Sequence, residues 1–318
     1  MSNKIVSIII VAGGNKEYLK SCLDSINEQT YVDRETIVID NSLVNNFHNE
    51  FIQNYPKVRI SISETNLFYS ASLNKGIGMS NGEFILCLND DVVLDKRFIE
   101  EAVKGFAVDK KIGMVSGKIL RNDKETIDSI GLFLSIWRTA RERGYGIRDA
   151  GQFDADGYIF GVCGAAAFYR RSMLNQLKIG TEYFDEAFRF FYEDLDMAWR
   201  AHNFAWKGYY VKSALAYHCR GGTARKKKSL IKGFARLHLE DDLVIDLMKN
   251  RYLAIIKNED ILNFTLHLPF IILYDILAVT YLLLFRLRLV MSFIKSFRLL
   301  TTAFKKSKLL KAKSKERG

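Results

Sequence analysis

Proline is nearly missing from this chain, with two residues in 318, while 48% of the residues are hydrophobic. That balance excludes extensive disorder and predicts a packed core. Cysteine is scarce and scattered: Cys22, Cys87, Cys163 and Cys219 form no CxxC pair, which argues against a zinc site. Cys87 falls in an apolar run and Cys163 among glycine and alanine, where buried, reduced thiols are expected. The opening MSNKIVSIIIV has one early lysine and an apolar run of about seven residues before Gly13-Gly14. Too short for a secretory signal, it reads as a first buried strand, so a cytoplasmic location is expected. Acids are almost missing from the tail: from Arg286 onward there are eleven cations against Glu316 alone. The formal net charge is +11, so the tail accounts for about as much charge as the whole chain shows.

Strand-like and helix-like stretches alternate at first. Ile5 to Val11, Glu35 to Ile39, Val58 to Ile62, Glu83 to Leu88 and Ile112 to Gly117 read as strands. Tyr18 to Glu28, Ala71 to Met79 and Arg97 to Val108 read as helices between them. This alternation predicts an α/β fold with a mostly parallel, doubly wound sheet and a ligand site beyond the carboxyl ends of the strands. Asp40 and the cluster Asn89 to Asp91 fall at such ends. Ile119 to Tyr158 is irregular and rich in arginine and glycine, an expected excursion over that face. Gly161 to Arg171 is a tight small-residue segment, and Tyr209 to His218 reads as a last strand. A basic loop, Arg220 to Lys232, follows, with Arg225-Lys226-Lys227-Lys228 at its centre.

Composition shifts after Leu253. Ile261 to Leu289 is strongly apolar but interrupted by His267, Pro269 and Asp275. Leu266 to Phe285 has the length to span a bilayer, yet carries a charge and a proline. The basic amphipathic run behind it favours a helix lying in the membrane interface; a span and a helical dimerisation region are the alternatives. The expected division is a catalytic domain over 1–235 and a membrane-associating helical region over 236–318.

Four constellations carry chemistry. VIDNS ends a strand on Asp40, placed either to hold a ligand or simply to turn the chain. LNDDVVLD presents Asn89, Asp90 and Asp91 directly after an apolar strand, hard oxygen ligands of the kind Mg²⁺ or Mn²⁺ prefers. The alternative is a solvated acidic turn. FDEAFRFFYEDLDMAWR sets Glu193, Asp194 and Asp196 among aromatics, where desolvation raises carboxyl basicity; a helix N-terminus favours the same acids. His218 closes the last strand, as a ligand or as a structural histidine.

In this order, VSIIIV with YLKSCLDSINEQT, ETIVIDNS, ETNLFYSASLNKGI, FILCLNDDVVL, GVCGAAAFYRR, FDEAFRFFYEDLDMAWR and AYHCRGGT resemble the inverting family-2 glycosyltransferases with a glycosyltransferase-A fold. The likeness runs from about Ile5 to Thr223 and points to the rhamnosyltransferase-like branch. It implies that Ala12 and Asp40 line the nucleobase and ribose and that Asn66 and Asn74 sit near the donor. Asn89 and Asp91 correspond to the ends of an Asp-x-Asp-type motif; the likeness then puts Asn89 and Asp90 on the donor side, Asp91 as the principal metal ligand and His218 as a metal or diphosphate contact. Asp194 corresponds to the base that activates the acceptor hydroxyl, with Glu193, Asp196 and Trp199 as acceptor-side or helper residues. Three departures stand out. Ala12-Gly13-Gly14-Asn15 replaces the usual Pro-x-Tyr-Asn, Phe68 and Tyr69 stand where small residues are common, and Trp206 stands near a usual glycine. Neither Gln-x-x-Arg-Trp nor the several spans of processive synthases is present, which implies single addition.

The resemblance further implies a nucleotide-sugar donor, dTDP-rhamnose first and UDP-hexoses next, and a divalent metal, Mg²⁺ or Mn²⁺. It implies a lipid-linked glycan acceptor in bacterial cell-surface polysaccharide synthesis. The basic, apolar C-terminus predicts an anionic membrane partner at the cytoplasmic face of the inner membrane. Homo-oligomerisation stays open and nucleic acid is not expected. The rivals are a nucleotidyltransferase, which lacks its glycine-rich phosphate loop here, a degenerate transferase that only binds, and a basic membrane- or nucleic-acid-binding protein without catalysis.

Overall fold

A computed structural model describes residues 4–44, 47–220 and 239–315. Strand β1 (Val6–Ala12) is a β-branched run buried on both faces. It is followed by α1 (Lys16–Asn27), whose N-cap Asn15 accepts from Tyr18 N, and by β2 (Arg34–Asp40) and α2 (Asn49–Asn54). Next come β3 (Val58–Ile62), α3 (Phe68–Gly78) and β4 (Phe84–Asn89). Strand β1 runs parallel to β2 and β4, and β2 parallel to β3. The central strands β1 and β4 carry near-continuous apolar sequence because both their faces are buried, while the edge strand β3 is more polar.

The second half is mixed. After β5 (Val92–Leu94) and α4 (Phe98–Val108), the ten-residue β6 (Ile112–Arg121) leads into short strands. These are β7 (Ile127–Ser129), the hairpin of β8 (Leu132–Leu134) with β9 (Ala140–Glu142), and β10 (Gly157–Ile159). Then β11 (Ala166–Arg170) inserts antiparallel to both β4 and β6. It is reached through the irregular stretch rather than a crossover helix, so nothing imposes parallel pairing. Helices α5 (Arg171–Leu177) and α6 (Glu193–Asn203) precede β12 (Lys207–His218), which pairs parallel with β6. The strand order is β10-β12-β6-β11-β4-β1-β2-β3, with β5 on β12 and β7 on β6.

The boundary expected near 235 and the lysine-rich centre of the basic loop lie outside the described residues. Beyond it, α7 (Asp241–Asn258) packs on α6. A buried ionic seam joins the two regions. Lys257 bridges Asp185 at 2.5 Å and Asp196 at 2.9 Å, and Lys306 of α10 (Arg298–Lys315) reaches Asp185 and Glu182, each at 2.7 Å.

Helix α8 (Ile261–Phe285) is the one helix among the described residues long and apolar enough to cross a membrane, with 22% of its apolar window buried. Two of the three residues that interrupt its apolar sequence face the protein, while Pro269 is exposed: His267 meets Arg138 at 2.9 Å, and Asp275 pairs with Arg251 at 2.6 Å. With Ile271, Ala278 and Leu282, which are buried, they recur at helical spacing along one docked stripe. Leu262, Leu266, Leu277 and Leu284 remain exposed. After it come α9 (Val290–Ser296) and α10.

Candidate active site

A cavity of about 720 Å³ opens where β1, β4 and β12 end. Ala12 and Gly13 line it, and the Gly13 N–H donates to Asp90 Oδ2 at 2.7 Å, so the unusual Ala-Gly-Gly-Asn turn orients an acid of the next motif. Gly14 has φ +103, left-handed backbone that a side chain strains. Asn66 lines the cavity, its side-chain oxygen accepting from Asn41 Nδ2 at 2.9 Å and from Phe68 N at 2.8 Å. Asn89 Oδ1 accepts from the Tyr69 hydroxyl at 2.9 Å, and that hydroxyl also lies 3.0 Å from Gly164 O. Phe68 meets Phe190 edge-on, ring centroids 5.7 Å apart, so Phe68 and Tyr69, which depart from the family pattern, help build the cavity's aromatic wall.

Two residues expected on the donor side do not line the cavity. Asp40 is buried at the end of β2, and its carboxylate accepts from Ser42 Oγ at 2.6 Å and Ser42 N at 3.1 Å; it shapes the turn and does not line the cavity. Asn74 accepts from the N–H groups of Tyr183 and Phe184 and donates to Phe184 O. Four residues after Ser70 on α3, it faces the loop that precedes α6.

Strand register builds the metal corner. Strand β5 pairs antiparallel with β12 so that His218 faces Val92, and Cys219 N donates to Asp91 O at 2.9 Å. His218 Nε2 thereby comes to 3.1 Å from Asp91 Oδ1. On its other side, His218 Nδ1 meets Asp128 Oδ2 at 2.8 Å, and Arg220 Nε meets Asp128 Oδ1 at 2.5 Å. Burial works against a charged His218, but hydrogen bonds and charge from Asp128 and Asp91 raise its pKa to about 9. Burial, with the neighbouring Asp91 charge, pushes Asp90 up to about 6. No three His, Cys, Asp or Glu side chains among the described residues form a protein-only cage. Once a bound cation displaced the Nε2 proton, Asp91 and His218 could supply one hard oxygen and one imidazole nitrogen, and the Asp128–His218 bond fixes the ring as an outer-shell contact would. This donor set fits a divalent cation that takes the rest of its shell from phosphate oxygens and water.

The opposite wall is the N-terminus of α6. Phe191 and Tyr192 both adopt left-handed backbone, φ 65° and 69°, at a cost of about 1–3 kcal/mol each. Asn250 of α7 holds them: fully buried, its Nδ2 donates to Phe190 O at 2.7 Å and Phe191 O at 2.8 Å. Asp194 then faces the cavity, with Oδ2 accepting from Gly164 N at 3.1 Å and Oδ1 from Leu195 N at 2.7 Å. Burial raises its pKa despite those bonds. Glu193 lines the cavity beside it.

Asp196 and Trp199 do not belong to that wall, contrary to their expected helper roles. Two and five positions after Asp194, they lie on the inward face of α6. Asp196 is fully buried against Arg200 at 3.0 Å, Lys257 at 2.9 Å and Asn258 at 2.7 Å, and Trp199 is buried under Arg138. Trp206 likewise serves structure, donating to Gln176 Oε1 at 2.7 Å.

Three site residues escaped sequence reasoning. Asp128 and Glu142 sit in the irregular stretch with no motif around them, and Asn250 lies in the C-terminal region. Glu142 accepts from Ser129 and lines the cavity. Burial, with the Asp194 charge, pushes its pKa up to about 7.

A family model described as "Glycosyl transferase family 2" matches residues 7–178. A chondroitin synthase of Pasteurella multocida is 31% identical over 114 residues, 35% of this chain and 12% of that protein. A poly-beta-1,6-N-acetyl-D-glucosamine synthase of Staphylococcus epidermidis is 25% identical over 125 residues, 38% of this chain and 30% of that one. The chain thus spans less than a third of either relative. Among solved structures, a mannosyltransferase of Pyrobaculum calidifontis in complex with GDP-Man and Mn²⁺ superposes with a TM-score of 0.55 at 14% identity. That match covers 98% of this chain and 75% of the other, and it bears out the glycosyltransferase-A type fold.

Proposed function

The chain belongs to glycosyl transferase family 2, and we propose that it transfers one sugar from a nucleotide diphosphate sugar to a glycan hydroxyl with inversion. The observation that carries this reading is a single cavity with Asp194 on one wall and Asp91 with His218 on another. Asp194 is desolvated enough to be a better base than a surface carboxylate, and two backbone N–H groups fix its orientation. It takes the acceptor proton as the acceptor oxygen attacks the anomeric carbon from the face opposite the leaving diphosphate. Asp91 and His218 would hold Mg²⁺ or Mn²⁺, which when bound neutralises charge on the leaving diphosphate. Arg220, anchored on Asp128, adds fixed positive charge at the same end. Ala12, Asn66, Asn89 and Asp90 line the donor side.

The favoured donor is dTDP-rhamnose, with UDP-hexoses next, by likeness to the rhamnosyltransferase branch. The exposed apolar faces of α8 and the cations of α10 support attachment to an anionic membrane surface, monotopic and cytoplasmic, with a lipid-linked glycan as acceptor in bacterial surface polysaccharide synthesis. The docked stripe through His267 and Asp275 favours a helix lying on the bilayer over one crossing it.

The test is hydrolysis and binding of a panel of dTDP- and UDP-sugars by the full chain, with and without Mn²⁺, for wild type and Asp91→Ala. Metal-dependent turnover of one donor, lost in the variant, is the expected result. A panel on which wild type neither binds nor turns over any sugar overturns the reading.

A further inference from the structure

Glu193 is the first residue of α6 and, at 7% exposure, more deeply buried than Asp194 beside it. It nevertheless lines the cavity. Its Oε1 lies 3.2 Å from where a Cβ on Gly164 would stand, so the carboxyl packs closely under the Cys163–Ala165 segment and a larger residue there would crowd it. Its Oε2 is buried and finds no hydrogen-bond partner among the described residues. An orphaned polar atom of this kind costs about 1–3 kcal/mol unless a ligand satisfies it. Asp194, by contrast, accepts from two backbone N–H groups.

We propose that Glu193 is a substrate-contacting residue that works as a neutral carboxylic acid, donating a hydrogen bond from its carboxyl to a hydroxyl of the donor sugar. Nothing is transferred: the proton stays on Glu193 through the reaction, and Asp194 alone is ionised and accepts the acceptor proton. Two adjacent carboxyls in a desolvated pocket do not both ionise readily, and the one with a buried oxygen that no donor reaches keeps its proton. The groups that face Glu193 point the same way. They are Asp194 and Asp196 on its own helix, Tyr69 from α3, Cys87 from β4 and Tyr169 from β11. Burial first, and then the Asp194 charge, hold its pKa well above the usual carboxyl range.

This inference rests on the transferase reading, and the experiment separates the two. Steady-state hydrolysis of the nucleotide sugar that wild type turns over is measured across pH for E193Q, E193A and D194N, with thermal melts to establish folding. Glutamine keeps a neutral donor of the same shape, so E193Q is expected to hold kcat/KM within about tenfold and to leave the acid limb of the pH profile in place. E193A is expected to lose about tenfold or more, chiefly through donor KM. D194N is expected to lose about a hundredfold or more in kcat. An infrared difference spectrum of wild type against E193Q at neutral pH is expected to show the carbonyl stretch of a protonated carboxyl. E193Q as impaired as D194N, a folded E193A with unchanged kinetics, or a spectrum showing only ionised carboxylate each overturns the inference while the transferase reading stands. A wild type that turns over no donor overturns both.

Discussion

His218 Nε2 and Asp91 Oδ1 lie 3.1 Å apart at the head of the cavity, although one closes the last strand and the other follows the fourth. The antiparallel pairing of His218 with Val92 makes that approach a consequence of backbone register. Asp128 completes the arrangement, holding Nδ1 so that Nε2 points inward.

Asp128→Asn should therefore weaken metal activation without removing a ligand. Loss of an outer-shell carboxylate typically costs about 10–100-fold in metal affinity. The check is the Mn²⁺ concentration for half-maximal donor turnover. An unchanged value would mean that Asp128 matters only to packing.

Asp194→Asn should lower kcat by about 10²–10⁴ while leaving nucleotide-sugar binding intact. Isothermal titration with the donor, alongside turnover, distinguishes a lost base from a lost pocket. Because Asp194's pKa is raised, wild-type activity should fall on acidification at a pH above that of an ordinary aspartate.

Glu142→Gln should stabilise the protein at alkaline pH. The native carboxyl keeps its proton up to about pH 7, against 4.5 for the free group, so the native state binds more protons between those values and wild-type stability falls as pH rises through them. The penalty is complete above about 7 and on the order of 3 kcal/mol. Thermal melts at pH 8 should favour the variant, and the two proteins should converge below pH 4.5. Equal melting temperatures at pH 8 would contradict this.

Asn250→Ala should destabilise the fold by about 1–3 kcal/mol, because it orphans two backbone carbonyls next to two left-handed residues. Urea unfolding reads the loss. A wild-type midpoint would show that Phe191 and Tyr192 hold their conformation unaided.

Leu277→Asp with Leu284→Asp should abolish co-sedimentation with vesicles containing anionic lipid while donor hydrolysis persists. Both leucines are more than half exposed and face away from the docked stripe. Wild-type binding should also weaken as salt rises from 0.1 to 1 M, where the screening length shrinks from about 10 to about 3 Å. Binding indifferent to both changes would remove the membrane reading.

The parallel half of the sheet was legible in the sequence because local pattern dictates it. Short apolar runs such as Ile85 to Leu88, bounded by polar residues, suit a strand buried on both faces and put the acids that follow at its end. Local pattern singled out Asn89 to Asp91, and the family resemblance added Ala12, Asn66, Asp194 and His218, all of which line the cavity. The antiparallel insertion of β11 was not legible, since pairing partners depend on the path of the irregular stretch before it. Nor were Asp128, Glu142 and Asn250, whose roles come from pairing with residues distant in sequence. The same physics sets Asp40, Asn74, Asp196 and Trp199 outside the cavity lining: a polar or aromatic side chain at a suggestive position satisfies whichever partner packing brings first. Asp196 found Arg200, Lys257 and Asn258 in the interior. Residue pattern by itself determined the strands, their ends and the kinds of ligand those ends carry. Only the tertiary structure decided which of those groups share one cavity, because burial and hydrogen-bond partners are set by register and by contacts that cross the whole chain.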